Sequence, residues 1–339
     1  MKLSVDQIRE ITQGAVSVVD FSGSVRFHRF TEEQEQLYTN RYEGCRRKYS
    51  TAGIKLCFKT DSSRLSLAIE AIESTSRTYF SVDVFANEKH VGAIDNFSNQ
   101  DISGDYSAKK FPLGRFAKEF VLGDGIKDVT IYLPWSVELR IEELHLDENS
   151  LIEPICPDKI LLAYGDSITH GYDAMRPMNR YAAQVAAALD AVEYNKAIGG
   201  EVFVPELVET KDDFEPDYIM VAYGTNDWGK LTWDEFAKNC KQFYQNLAKK
   251  HPQAKIFALA PVWRKAYMEV RECCDFSQIG AYIKEVTEPF SNIHVIDCFD
   301  FIPHDVNYFA DFKIHPNDKG FEHYGKNLVS RIQQILSAE

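Results

Sequence analysis

Four short segments of the sequence carry residues that could do chemistry together: a serine, a glycine, an asparagine and a histidine. They read "GDSI" at 165–168, "AIGG" at 197–200, "GTND" at 224–227 and "IHPND" at 314–318. A serine hydroxyl beside a histidine can attack an acyl carbon, because the imidazole first takes the hydroxyl proton and later donates it to the leaving group. These residue types indicate acyl transfer, with Ser167 as the nucleophile and His315 as the base.

The tetrahedral intermediate of such a reaction needs hydrogen-bond donors for its oxyanion. The backbone N–H groups of Ser167 and Gly199 and the side-chain amide of Asn226 would supply them. Each donor of this kind lowers the barrier by about 3 kcal/mol. Glycine suits position 199, since a backbone N–H that points into a site leaves little room for a Cβ. Asp166 and Asp227 are expected to brace their loops.

Each of these residues also has a purely structural interpretation. Ser167 could be the N-cap of the helix that follows a strand, because serine is a common cap. Asn226 could form an Asx turn. His315 could be a solvated loop residue, held extended by the proline after it. The occurrence of all four segments in one chain favours the catalytic interpretation.

The elements that must position these residues alternate between strand and helix. Apolar strands are predicted at 159–165, 191–199, 216–224, 254–262 and 292–299, with helices at 179–190, 232–251, 276–290 and 318–339. Nearly continuous apolar strands between helices predict a parallel sheet that is covered on both faces. Ligands bind such sheets beyond the carboxyl ends of the strands, where the candidate residues lie.

The first part of the chain has a different pattern. Short β-rich segments separated by turn residues are predicted at 15–21, 24–30, 53–59, 64–70, 79–86, 119–123, 128–134 and 137–146. They favour an antiparallel sandwich or jelly roll. The polar segment 147–158, with its two prolines, is predicted to be a linker. We therefore expect an all-β domain over 1–150 and an α/β domain over 158–339.

The four segments resemble the SGNH hydrolases, also called the GDSL esterase/lipase family. The resemblance covers roughly residues 158–339 and implies a flavodoxin-like αβα fold. The two-domain layout is similar to that of some carbohydrate acetylesterases of this group. The resemblance therefore implies a serine esterase that removes small acyl groups, acetyl in particular, from a carbohydrate, without a metal or an organic cofactor.

One position departs from the family pattern. The family's aspartate lies three residues before the histidine, where this chain has Phe312, whereas Asp311 lies four before it. Either a one-residue bulge lets Asp311 orient His315, or the site is a Ser–His dyad whose imidazole a backbone carbonyl holds. We favour Asp311, because losing the carboxylate would weaken the hold on the correct tautomer.

Further residues near the strand ends are candidates for substrate binding. They are Trp228, Trp263, Arg264 and His170. Aromatic faces stack on sugar rings, and arginine binds carboxylates or hydroxyls. Tryptophan at such positions is as often a packing residue, so both interpretations stay open.

Composition limits the partners. The net charge of −13 argues against nucleic acid and anionic membranes, which both favour an excess of Lys and Arg. The basic run at 46–48 is predicted to be a solvated loop. The seven scattered cysteines lack a CxxC pair, and the start lacks the apolar stretch of a signal peptide, so we expect reduced thiols in a cytoplasmic protein. A homo-oligomer is compatible with the sequence.

Three other functions are weaker. A lipid esterase or thioesterase would need a long apolar channel, and no hydrophobic lid segment is evident. A carbohydrate-binding protein with a dead hydrolase domain would explain the displaced aspartate but not the presence of Ser167, Asn226 and His315. A nucleotide-binding protein lacks support, because no GxGxxG or GxxxxGK[ST] follows a strand.

Overall fold

The computed structural model describes residues 1–100, 102 and 104–338 of the chain. Its strands are β1 (Thr12–Gln13), β2 (Ser17–Phe21), β3 (Ser24–His28), β4 (Lys55–Thr60), β5 (Arg64–Glu73), β6 (Ser81–Ala86), β7 (Lys89–Asp95), β8 (Gly114–Val121), β9 (Lys127–Tyr132), β10 (Val137–Leu146), β11 (Glu153–Pro154), β12 (Lys159–Gly165), β13 (Ala191–Asn195), β14 (Tyr218–Ala222), β15 (Lys255–Leu259) and β16 (Ile293–Ile296). Its α-helices are α1 (Val5–Glu10), α2 (Glu32–Arg41), α3 (Ser167–His170), α4 (Tyr181–Ala188), α5 (Pro205–Glu209), α6 (Thr225–Lys230), α7 (Trp233–Lys250), α8 (Phe276–Thr287) and α9 (Asp318–Ser337).

The first part of the chain forms two antiparallel sheets around one core. One sheet has the order β1-β4-β9-β6-β7, with β11 paired to β4, and the other has the order β2-β3-β10-β5-β8. Alternation along β5 turns Leu65, Leu67 and Ile69 inward, where they share a core with Val82 and Val84 of the opposite sheet. Two sheets that bury one face each form a sandwich. The predicted all-β sandwich is thus confirmed, whereas a jelly-roll path remains a prediction.

The second part contains the predicted parallel sheet, in the order β13-β12-β14-β15-β16. In β12, Leu161 and Ala163 pack into the layer of α4 and α9, whereas Leu162 and Tyr164 pack into the layer of α5, α7 and α8. Burial on both faces is the reason these strands are apolar throughout. The three-layer α/β prediction is confirmed. The predicted division into 1–150 and 158–339 falls between β10 and β12, and it stays a prediction.

Residues 30–49 leave the sandwich and pack against the parallel sheet. Phe30, Tyr38 and Cys45 share a core with Leu162 and Tyr164 of β12. The sequence analysis predicted only strands in this part of the chain, and it missed helices α1 and α2. Both helices begin with a capping box, the signal that could have revealed them; in α2 the Thr31 side chain accepts from the N–H of residue 34.

The basic run at 46–48 is not the solvated loop that the sequence predicted. It forms a 3₁₀ turn over Arg46–Tyr49, in which Lys48 is buried and donates to the backbone oxygen of Glu35 at 2.9 Å. Arg47 donates to the backbone oxygen of Gly199. The correction matters for the site, because it brings a side chain of the first part of the chain to the end of the parallel sheet.

A buried arginine fastens the two parts to each other. Arg29 is 1% exposed and donates to the backbone oxygens of Ser50 (2.8 Å), Asn195 (2.6 Å) and Ala197 (3.2 Å). A guanidinium is well suited to this role, because its donors spread in a fixed fork.

Among the described residues, no helix is both long and apolar enough to cross a bilayer.

Candidate active site

Ser167 lies at the carboxyl end of the central strand β12. The strand ends at Gly165, and Asp166 caps the short helix α3 by accepting from the N–H of Ile168 at 2.9 Å. The N-cap is therefore Asp166 and not Ser167, so the capping interpretation of the serine is wrong. Gly165 permits the tight corner, since a Cβ there would lie 2.2 Å from Thr169 Oγ1.

The structure brings His315 to this serine. Its Nε2 lies 2.8 Å from Ser167 Oγ, and its Nδ1 lies 2.8 Å from Asp311 Oδ2. With Nδ1–H donated to the carboxylate, Nε2 is left to accept the hydroxyl proton of Ser167. Serine, histidine and aspartate thus form one continuous chain of hydrogen bonds in the arrangement of a catalytic triad.

The extra residue between Asp311 and His315 is accommodated by a left-handed turn. Phe312 has φ +53°, a conformation that bulky residues seldom adopt. The Oδ1 atom of Asp311 accepts from the N–H groups of Lys313 (2.9 Å), Ile314 (2.8 Å) and His315 (3.1 Å). One oxygen of the Asp311 carboxylate therefore accepts the backbone N–H groups of the loop, and the other contacts the imidazole. This is the arrangement in which a one-residue bulge lets Asp311 orient His315.

The charges around the site fit these contacts. Burial would raise the pKa of Asp311, but the hydrogen bond and charge of His315 and the loop N–H groups hold it well below its usual range. Burial raises the pKa of Asp166 to about 6 and that of Asp227 to about 7. Asp311 is thus ionised at neutral pH, whereas the two loop aspartates lie in dry surroundings that disfavour their charge.

The candidate oxyanion donors lie on the neighbouring loops. Among the described residues, the N–H groups of Ser167 and Gly199 donate to no protein acceptor. Glycine is needed at 199 because a Cβ there would lie 2.5 Å from the ring and hydroxyl of Tyr172. The Asn226 side chain donates one N–H to the backbone oxygen of Glu201 at 3.0 Å, which leaves its second N–H for a ligand.

Asp227 joins two of these loops, as its predicted bracing role requires. Its Oδ2 accepts from the N–H of Gly224 at 2.9 Å, and its Oδ1 accepts from the N–H of Phe203 at 3.0 Å. The loop that carries Asn226 is thereby tied to the segment after Gly199. The Asp227 carboxylate therefore helps to set the spacing of the two candidate donors.

Two predicted substrate contacts are wrong. Trp228 is 1% exposed, because α6 begins at Thr225 and turns its ring toward α8, where Nε1 donates to the backbone oxygen of Cys274 at 2.8 Å. His170 is fully buried, with Nε2 within 2.8 Å of Ser50 Oγ and 3.0 Å of the backbone oxygen of Trp135. Both side chains pack within the protein.

The other two predicted contacts differ from each other. Trp263 is largely buried and stacks on His304, with ring centroids 5.4 Å apart, which is the packing role that the sequence left open; its contact with a substrate stays a prediction. Arg264 is partly exposed, donates to the backbone oxygen of Thr225 at 3.0 Å, and lines a surface cavity with Lys313. Contact of Arg264 with a substrate stays a prediction.

The sequence analysis missed residues that surround His315. The Tyr172 ring lies tilted beside the imidazole, with centroids 5.5 Å apart. The next residue, Asp173, has Oδ2 at 3.6 Å from His315 Nδ1 and forms an ion pair with Arg77 of the sandwich. Tyr172 and Asp173 follow "GDSITHG" directly, so their nearness to Ser167 could have been noticed. Nothing in the sequence marks Arg77.

Within the described residues, one group of side chains has donor atoms close enough together to hold a metal: Asp173, Asp311 and His315. Those atoms already have partners, however. The imidazole bonds Ser167 and Asp311, and the Asp173 carboxylate bonds Arg77 and Tyr79. The hydrogen-bonded arrangement therefore accounts for the cluster without an ion.

Comparisons with known proteins agree with this geometry. The model of the GDSL-like lipase/acylhydrolase family matches residues 163–323. No curated protein matches the chain.

Solved structures share the architecture over nearly the whole chain. The salicylyl-acyltransferase SsfX3 of a tetracycline biosynthetic pathway is 21% identical, with a TM-score of 0.77 over 96% of this chain and 94% of its own. A Bacteroides ovatus protein named as a GDSL-like lipase is 18% identical, with a TM-score of 0.76 over 99% and 98%. A family two carbohydrate esterase from Cellvibrio japonicus is 16% identical, with a TM-score of 0.67 over 99% and 98%.

At these identities the solved structures show the fold, and the family match shows the kind of enzyme. Residues 163–323 match the model of the GDSL-like lipase/acylhydrolase family, the SGNH hydrolases, and this match together with the site geometry identifies an enzyme that acts on ester bonds.

Proposed function

We propose that the chain is a serine esterase that removes small acyl groups, acetyl in particular, from a carbohydrate. The observation that carries this proposal is the pair of 2.8 Å contacts that join Ser167 to His315 and His315 to Asp311. The proposed catalytic residues are Ser167, His315 and Asp311, and the proposed oxyanion donors are the N–H groups of Ser167 and Gly199 and the amide of Asn226.

In the first half of the reaction, Ser167 Oγ attacks the ester carbon while His315 Nε2 takes its proton. Negative charge develops on the carbonyl oxygen, where the oxyanion donors stabilise it in the transition state. The tetrahedral intermediate then collapses, the C–O bond to the sugar breaks, and Nε2 donates its proton to the leaving alkoxide. The sugar alcohol leaves, and the acyl group stays on Ser167.

In the second half, His315 takes a proton from water, and the hydroxide attacks the acyl carbon. The second intermediate collapses as the proton returns to Ser167 Oγ, and a carboxylic acid leaves. In both halves of the reaction, the Asp311 carboxylate stabilises the imidazolium through its contact with His315 Nδ1. Asp311 stays ionised because its pKa lies well below the usual range.

The preference for a small acyl group is supported by Tyr172. This residue is 5% exposed, and its ring fills the space beside Gly199 and inclines against His315. A rigid aromatic wall at this point reduces the room beside the acyl carbon. A long acyl chain would have to leave the site in another direction.

The carbohydrate substrate is supported by the resemblance to the Cellvibrio japonicus carbohydrate esterase, which extends across both parts of the chain. The similarity to the salicylyl-acyltransferase favours a second candidate, in which an alcohol and not water accepts the acyl group. Both reactions use the same acyl-enzyme, so the nature of the acceptor distinguishes them.

The test is hydrolysis of 4-nitrophenyl acetate and 4-nitrophenyl octanoate by wild type, Ser167→Ala and the control Ser337→Ala, an exposed serine of α9. We expect the acetate to be cleaved, the octanoate to be a poor substrate, and only Ser167→Ala to be inactive. Acetate release from acetylated oligosaccharides then tests the sugar. Equal activity of wild type and Ser167→Ala would contradict the mechanism, and a preference for octanoate would contradict the small acyl group.

A further inference from the structure

Asp173 is held in an unusual way for a residue of a loop. Its side chain is fully buried, and its backbone has φ +73°, a left-handed conformation that few residues other than glycine, asparagine and aspartate adopt. Residues of the sandwich fix it from three directions. Arg77 donates to both carboxylate oxygens (2.7 and 3.0 Å), Tyr79 donates to Oδ1 (2.6 Å), and the Tyr106 hydroxyl donates to the backbone oxygen (2.7 Å).

This carboxylate faces the same imidazole nitrogen as Asp311. The Nδ1 atom of His315 lies 2.8 Å from Asp311 Oδ2 and 3.6 Å from Asp173 Oδ2. The Oδ2 atom of Asp173 accepts one hydrogen bond from Arg77, which leaves acceptor capacity toward the imidazole. Two carboxylates thus flank one N–H group.

We propose that Asp173 is a positioning residue for His315 and that Arg77, by cancelling its charge, sets the pH range over which His315 acts as a base. This inference rests on the proposed function. It gives the sandwich a part in catalysis, since Arg77 and Tyr79 belong to the segment between β5 and β6.

The argument depends on the balance of charge. The titratable and charged groups around the His315 ring are Asp311, Asp173, Asp166, Tyr172 and Arg77. With Arg77 paired to Asp173, this pair contributes little net charge, and the carboxylates of Asp311 and Asp166 are left to favour the imidazolium. An uncompensated second carboxylate would stabilise the imidazolium further, and a protonated imidazole cannot accept the serine proton. Arg77 therefore permits a second acceptor without that penalty.

The charge model predicts opposite effects for the two partners. In Arg77→Met, the bare Asp173 carboxylate stabilises the imidazolium, so the acid limb of the kcat/KM profile shifts to higher pH by about one unit. In Asp173→Asn, the bare guanidinium disfavours the imidazolium, so the limb shifts to lower pH by about one unit. Asparagine also tolerates the left-handed backbone. The double variant removes both charges, and its limb returns close to that of wild type.

Two variants separate charge from structure. Arg77→Lys keeps the charge and should keep the limb in place. Arg176→Met is the matched control, because Arg176 forms a similar pair with the buried Asp83 at 2.6 Å and does not contact His315. The assay is kcat/KM for 4-nitrophenyl acetate from pH 5 to 9, with circular dichroism to check the fold of each variant.

Opposite shifts that cancel in the double variant support the proposal. Shifts in the same direction, or shifts no larger than that of Arg176→Met, overturn it. If Arg77→Met does not fold, Asp173→Asn alone decides, because an unmoved or raised limb is incompatible with a bare guanidinium beside His315. If Ser167→Ala is inactive but the acid limbs of the Arg77 and Asp173 variants stay where the wild-type limb lies, this inference is overturned and the proposed function stays intact. Wild-type activity that does not depend on Ser167 overturns both.

Discussion

Replacing Asp311 with asparagine would test how His315 is held, with little disturbance of the loop. The Oδ1 atom accepts three backbone N–H groups, and the amide oxygen of asparagine can keep these bonds. The Oδ2 atom, 2.8 Å from His315 Nδ1, would become an NH₂ group. A donor at this position forces the proton of the imidazole onto Nε2, where it opposes the Ser167 hydroxyl.

The expected loss is large. A wrong tautomer costs a serine hydrolase about 10⁴ in kcat, which corresponds to about 5 kcal/mol of transition-state stabilisation. The free energy of unfolding should fall as well, because a neutral amide replaces a carboxylate that His315 and the loop N–H groups stabilise in its ionised form, but the variant should remain folded. Activity should fall much further than stability.

The assay is kcat and KM for 4-nitrophenyl acetate between pH 6 and 9, together with urea unfolding. Asp305→Asn is a matched control, because Asp305 is exposed and accepts from the N–H of Asn307 at 3.0 Å in a similar turn. Activity of Asp311→Asn within tenfold of wild type would refute the role of Asp311 in the triad.

Four further changes test other parts of the account. Asn226→Ala should lower kcat by about 10²- to 10³-fold in the nitrophenyl acetate assay without raising KM, because the lost amide acts in the transition state; a change confined to KM would contradict this. Gly199→Ala should abolish that activity, since the Cβ would lie 2.5 Å from the Tyr172 ring. A normal kcat would show that the ring can move aside and would contradict the need for glycine at this position. Arg29→Met should lower the free energy of unfolding in urea by about 3 kcal/mol, because it leaves buried backbone oxygens without donors; a loss below about 1 kcal/mol would contradict the anchoring role. Burial raises the pKa of Asp227 from 3.8 to about 7, so unfolding releases its proton between these pH values, and this contribution lowers the stability by up to about 4 kcal/mol as the pH rises. In Asp227→Asn, the urea concentration at the unfolding midpoint should depend less on pH across this window. An unchanged pH dependence would contradict the pKa shift.

The positions of Ser167, Gly199 and Asn226 could be predicted because the sequence constrains them in two ways. Apolar strands between helices require a parallel sheet, and the carboxyl ends of parallel strands meet at one edge. The predicted strands end near these residues, so their meeting follows from topology. Even the one-residue displacement of Asp311 could be interpreted in advance, since a single left-handed residue, Phe312, suffices to absorb it.

The direction of a side chain was harder to predict than its position. The sequence analysis placed Trp228 near the end of a strand, but α6 begins three residues earlier and turns the indole toward α8. The Trp263 ring likewise packs within the protein, on Phe309 and His304. A strand-end position indicates the edge of the sheet, and it does not indicate whether a ring faces the cleft or the helix layer.

Contacts between the two parts of the chain left no signal in the sequence. Arg77 and Asp173 are 96 positions apart, and no periodicity connects them. Arg47 was taken for part of a solvated run because neighbouring basic residues usually are. Such contacts depend on how the sandwich packs against the parallel sheet, which local patterns do not encode.

The most direct measurement of the central claim is mass spectrometry of the enzyme, quenched in acid shortly after mixing with 4-nitrophenyl acetate. The account predicts one acetyl group on the peptide that contains Ser167, a matching burst of nitrophenol, and neither in Ser167→Ala. Turnover of the ester without acetylated Ser167, or undiminished turnover by Ser167→Ala, would contradict it.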